Sequence, residues 1–188
     1  ADANVQPSIG FTALMFAAGS GHERAIELLL QRSADANLQD SAGVTALMHA
    51  ASKGHERVVD LLIERDAEID LQDSKGYTAL VVAARCGHER VVELLLQRGA
   101  EIDQQDSDGG TALIFAARSG HERVVDLLIR RGAEVNLQNS AGGTALMRAA
   151  HHGHEQVVDL LIRRGAEVNL QMSGAGVNAP VQAAGCGR

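Results

Sequence analysis

Tryptophan is absent from this chain of 188 residues, and only three phenylalanines and one tyrosine represent the aromatics. That scarcity excludes a core built on large rings. The 45% of residues that are hydrophobic must fill the interior as Ala, Leu, Val and Ile, which suit thin, closely packed helices. No apolar run approaches the roughly 20 residues that cross a bilayer. The N-terminus, "ADANVQPSIG", lacks the charged-then-apolar pattern of a secretion signal. Basic residues are in deficit, 17 against 24 acids, for a net charge of −7. They are dispersed along the chain, mostly beside acids, so the linear sequence contains no basic patch. Nucleic-acid binding, which needs clustered Lys and Arg, is not expected. The two cysteines, Cys86 and Cys186, form no metal-type cluster and favour a reducing, intracellular setting. The chain starts in mid-pattern without Met, as an excised segment would.

What the chain has in abundance is repetition. Thr12, Thr45, Thr78, Thr111 and Thr144 are spaced by 33, and so are His22, His55, His88, His121 and His154. Residues 45–77 and 111–143 are identical at 22 of 33 positions. Each unit predicts a short helix opened by a capping Thr (Thr45-Ala46-Leu47) and broken by a glycine (Gly54). A second helix follows, over about Glu56 to Arg65, apolar around most of its circumference and therefore sandwiched between neighbours. Gly99, Gly132 and Gly165 supply a left-handed stop, at which Ser33 and Asp66 stand in two other units. A stretch such as "AEVNLQNSAGG" (133–143) predicts a hairpin-like turn, in which Asn37, Asn136 and Asn169 can bond nearby backbone.

The pattern T-A-L-x-x-A-A-x-x-G-H-E-x-V-V-x-L-L-x-x-G-A-x-V-N resembles the ankyrin repeat over nearly the whole chain. The resemblance implies an all-α repeat solenoid, in which helix-turn-helix units with hairpin loops stack into a curved single domain over 1–188. The repeats run about 12–44, 45–77, 78–110, 111–143 and 144–177. Residues 1–11 form a leading hairpin and 178–188 a half-length capping unit. Thr-Ala-Leu-Met, Thr-Ala-Leu-Val or Thr-Ala-Leu-Ile stands where the family usually has Thr-Pro-Leu-His.

Catalytic constellations are not expected. The recurring His-Glu lacks the second His of H-E-x-x-H, and helices about 8–10 Å apart hold equivalent histidines too far apart to share a metal ion. This His instead packs and hydrogen-bonds between repeats. "HHGH" (151–154) has either a metal-binding reading or, more simply, a structural one for His154 with His151 and His152 at variable surface positions. Cys86 and Cys186, three repeats apart, are too distant to pair. No cofactor is expected.

Since each repeat is a control for the others, departures carry the individual information. They fall in four series: Phe11, Val44, Tyr77, Gly110, Gly143; Phe16, His49, Val82, Phe115, Arg148; Gly19, Ser52, Arg85, Arg118, His151; and Ser20, Lys53, Cys86, Ser119, His152. The turn tips vary too, with Lys75 and Asp108 among them. All four aromatics lie in these series. The resemblance implies that they line a concave groove. The expected function is a monomeric protein–protein interaction module that binds a protein or peptide. Its anchors would be Phe11, Phe16, Tyr77 and Phe115, with Lys53, Lys75, Arg85, Arg118 and Arg148 meeting acidic groups and His49, His151 and His152 beside them. Phe16 and Phe115 have a second reading, as fillers between helices. Joint replacement of Tyr77 and Phe115 by alanine is expected to abolish binding without loss of thermal stability. The alternative for the whole chain is an unadapted or engineered repeat scaffold with no partner of its own.

Overall fold

The computed structural model describes residues 10–172. Most of the leading hairpin, the half-length unit at 178–188 and Cys186 lie outside the described residues. Within them the chain forms ten helices: α1 (Ala13–Ser20), α2 (Glu23–Gln31), α3 (Ala46–Lys53), α4 (Glu56–Ile63), α5 (Ala79–Cys86), α6 (Glu89–Gln97), α7 (Ala112–Ser119), α8 (Glu122–Arg130), α9 (Ala145–His151) and α10 (Glu155–Arg163). Odd-numbered first helices pack on one another in series, and even-numbered second helices do the same beside them.

Each first helix begins at its threonine. Thr12, Thr45, Thr78, Thr111 and Thr144 are extended, and each hydroxyl accepts the backbone N–H three residues on. With seven or eight residues these helices are shorter than the about 12–15 at which an isolated helix becomes stable in water. Packing must hold them. Ala50, Ala51, Ala83, Ala84, Ala116 and Ala117 are all fully buried, and their small side chains let adjacent first helices approach closely. It is these helices that are sandwiched, not the second ones. In α5 the whole run Ala79–Ala84 is buried, whereas α4, α6, α8 and α10 bury one stripe and turn a charged face outward. The second helix is also shorter than expected, ending at Ile63 rather than Arg65.

The repeated histidine joins one repeat to the next. His55, His88, His121 and His154 donate through Nε2 to the carbonyls of Gly19, Ser52, Arg85 and Arg118, at 3.2, 3.1, 3.0 and 3.0 Å. Those carbonyls belong to the last turn of the preceding first helix, where C=O groups have no intrahelical partner. Gly21, Gly54, Gly87 and Gly120 end the first helices with φ of 73–78° and lie directly beneath the rings.

Second helices stop as expected at positive φ: 94° at Gly99, 98° at Gly132 and 93° at Gly165, but also 62° at Ser33 and 64° at Asp66. An L side chain is disfavoured there by about 1–2 kcal/mol. Asp66→Gly should therefore raise the thermal midpoint. A lower midpoint would show that the aspartate side chain is worth more than the strain.

The expected hairpins contain no strand among the described residues. They are turns built on one side chain. Asp73 Oδ1 accepts from the backbone N–H of Lys75 and Tyr77, and Asp40, Asp106 and Asn139 repeat the arrangement. Successive turns are tied by Ser74 N–H to the Ala42 carbonyl, Ser107 to Lys75 and Ser140 to Asp108.

A second ladder runs beside the turns. Asn37 Oδ1 accepts from the Glu68 N–H at 2.8 Å while its amide donates to the Asp66 carbonyl at 3.2 Å, and Asn136 does the same toward Glu167 and Gly165. Asp70 and Asp103 hold the equivalent places and accept from Glu101 and Glu134. A carboxylate cannot donate, so the second bond is missing. Burial, and then the neighbouring Glu101 or Glu134 charge, raises the pKa of each aspartate above 3.8, against the pull of the backbone hydrogen bond. A raised carboxyl pKa means that the folded chain binds more protons than the unfolded one just above 3.8, so stability falls as pH rises through that window. Asp70→Asn with Asp103→Asn should stabilise the chain near pH 7 by about 1 kcal/mol per site. Denaturant midpoints should show this gain shrinking at about pH 3.5, where the wild-type carboxyls are protonated and can donate.

Candidate functional site

The first helices contain no Asp or Glu at all. They carry Lys53, Arg85, Arg118 and Arg148, with Lys75 in an adjoining turn. Scattered in the sequence, these five residues are brought to one side of the stack by the 33-residue period, where the linear reading saw no patch. None of the five takes part in an ion pair among the described residues. The second helices and the residues just after them behave differently. All eight Arg–carboxylate ion pairs among the described residues are theirs, including Arg131 to Glu93 at 2.7 Å, Arg164 to Asp126 at 2.5 Å and Arg98 to Asp60. His49 Nε2 lies 4.0 Å from Asp40 Oδ2, a charged pair only when the imidazole is protonated.

Aromatic side chains gather in two places on the same side. At one end Phe11 lies 4.4 Å from Phe16 and 4.8 Å from His49, centroid to centroid. Phe16 is 62% exposed. His49 is part-buried, and its pKa is lowered by that burial and by Lys53, against the opposing charge of Asp40. Further along, Tyr77 meets Phe115 edge-on at 5.2 Å, and the Arg85 guanidinium sits 5.2 Å from the centre of the Tyr77 ring. Phe115 is only 8% exposed and packs in the core, as a filler between helices would, while one side of it lines a cleft between α7 and α9. This corrects the expectation that Phe115→Ala leaves stability unchanged.

A cleft of about 260 Å³ opens between α7 and α9. Tyr77, Phe115, Arg118, Arg148, His151 and His152 line it, which brings six of the residues singled out in the sequence to one site. Lys53, Lys75, Arg85, Phe11, Phe16 and His49 lie outside it. Asp108, one of the varying turn tips, and Gly110, Ile114, Asp106 and Asn139 complete the lining; Ile114, Asp106 and Asn139 were not singled out by the sequence. Gly110 and Gly143 were visible in the variable series, but as positions without a side chain they were not read as forming a site.

The imidazoles of His151, His152 and His154 follow one another at 4.9 and 6.1 Å. His154 donates through Nε2 to Arg118, and His152 Nδ1 lies 2.9 Å from the Arg148 carbonyl, so each already has one nitrogen engaged. Among the described residues no group of three metal-ligating side chains comes together, and no helix is long and apolar enough to cross a membrane.

A family model described as ankyrin repeats (three copies) matches residues 14–106 and, in a second placement, 98–172. No curated protein matches the sequence. Helix pairs stacked in series under that match leave one assignment: the chain belongs to the ankyrin-repeat family.

Proposed function

We propose that this chain binds a protein or peptide, without catalysis, along the side formed by its first helices and turn tips. Ankyrin repeats are generally protein-interaction modules. The observation that carries the reading for this chain is the segregation of charge. Bases on the second-helix side are mostly neutralised within the chain, whereas Lys53, Lys75, Arg85, Arg118 and Arg148 have no acidic ion-pair partner among the described residues. Such charges steer association and select partners of opposite sign. The partner therefore presents acidic groups, and Phe11, Phe16 and Tyr77 add apolar contact.

Lys53→Glu with Lys75→Glu tests this. Both side chains are exposed, so stability should change by no more than about 0.5 kcal/mol. Affinity capture quantified by mass spectrometry should find acidic proteins on the wild-type chain depleted at least about tenfold on the variant. Equal capture by both would overturn the reading. Absence of any enrichment would favour a repeat scaffold without a partner.

A further inference from the structure

The residues immediately before the capping threonines are Phe11, Val44 and Tyr77, and then Gly110 and Gly143. Beside Thr78, the Tyr77 ring has the Arg85 guanidinium 5.2 Å from its centre. One repeat later the arginine is kept as Arg118, but Gly110 stands where the tyrosine would be. Arg118 therefore holds the position of a ring-stacking arginine, but no ring stands at the residue before its capping threonine; the nearest ring of its repeat, Phe115, forms the opposite wall of the cleft. Two side chains lean toward the vacated places. A Cβ on Gly110 would lie 2.8 Å from the Phe115 ring, and one on Gly143 would lie 3.2 Å from the Arg148 guanidinium. The cleft of about 260 Å³ is the space left between them.

Its size and chemistry narrow what fits. Sites for drug-sized ligands run from about 300 to 1,000 Å³, so this cleft suits one large side chain rather than a whole small molecule. An anionic group would face the carboxylates of Asp106 and Asp108 at the turn rim. An aliphatic group would fill space but offer no face to a guanidinium. An aromatic ring satisfies both walls: its edge or face meets Phe115, and its π-cloud attracts Arg118 or Arg148. We infer that the cleft receives an aromatic side chain presented by the partner, in the role that Tyr77 plays one repeat earlier. This rests on the protein-binding reading above.

The test uses two phage-displayed random peptide libraries, one complete and one lacking Phe, Tyr and Trp. The decisive variant is Gly110→Tyr with Phe115→Val, which copies the Tyr77–Val82 pair into the next repeat and fills the cleft from within. Arg118→Ala, at an exposed position, is a second variant that leaves packing alone. Peptides from the complete library should share an aromatic at one position and bind the filled variant about thirtyfold more weakly, as for a hot-spot residue. The aromatic-free library should yield nothing of similar affinity. Aromatic-free peptides that bind as tightly, or aromatic ones that bind the filled and Arg118→Ala variants undiminished, would overturn the inference. If those peptides still lose affinity on Lys53→Glu with Lys75→Glu, only the cleft assignment falls. Indifference to all three variants, or no binders from either library, overturns the binding-face reading as well.

Discussion

Gly87→Ala should destabilise the chain by about 2–4 kcal/mol, much more than a helix-end glycine usually contributes. Two causes add. The backbone at Gly87 has φ 78°, where an L side chain costs about 1–2 kcal/mol. The new methyl would also stand 2.6 Å from His121 Nδ1 and 2.7 Å from its Cε1. The ring must shift, and the bond from His121 Nε2 to the Arg85 carbonyl, 3.0 Å long, is lost or strained, for about another 1–2 kcal/mol. Gly99 lies in the same repeat at φ 94° with nothing within 4 Å of an added Cβ. Gly99→Ala should therefore show the backbone cost alone. In a His121→Ala background the Gly87→Ala penalty should drop toward the Gly99→Ala value. Denaturant midpoints for the wild type, the three single variants and the double variant measure this. Equal effects of Gly87→Ala and Gly99→Ala would remove the histidine from the account of repeat stacking.

Phe115→Ala should cost about 3 kcal/mol, while Phe16→Ala, at the equivalent position of the first repeat, should cost no more than about 1 kcal/mol. Phe115 is 8% exposed and touches Tyr77 edge-on, so its removal leaves a cavity and loses an aromatic pair. Phe16 is 62% exposed. The difference comes from the neighbour five residues earlier. Phe11 occupies the space beside Thr12 and leaves Phe16 outside, whereas Gly110 leaves that space empty and Phe115 lies in it. Thermal midpoints of the two variants decide the matter, and similar losses would contradict the placement. A consequence follows for binding studies. Loss of capture by Phe115→Ala would mix a stability defect with a contact defect, so Lys53, Lys75 and Arg118 are the cleaner positions to change.

Much of the fold was legible because the chain carries five nearly identical copies. A 33-residue period leaves each unit unable to bury its own apolar surface, so stacking is required. Thr, Gly and Ala at constant positions then mark where helices begin, end and touch. The role of the recurring His could be anticipated, but not its partner, since the bond joins residues 36 apart and depends on how one repeat sits on the next. The assignment of the sandwiched helix was reversed because Val and Leu in the second helix looked the more hydrophobic. Alanine, though less apolar, permits closer approach, and the closest approach set which helix was enclosed.

The sequence by itself determined the architecture and the list of positions at which the repeats differ, because both are properties of a period and need no distances. Tertiary structure alone decided what those differences do. It gathered five dispersed bases to one side without an ion pair among the described residues, because residues a full repeat apart in sequence are neighbours across stacked helices. It also separated Phe16 from Phe115, which no pattern could. Whether an aromatic is core or surface depends here on what its neighbours leave room for, as where Gly110 lets the Phe115 ring approach and lines the cleft beside it.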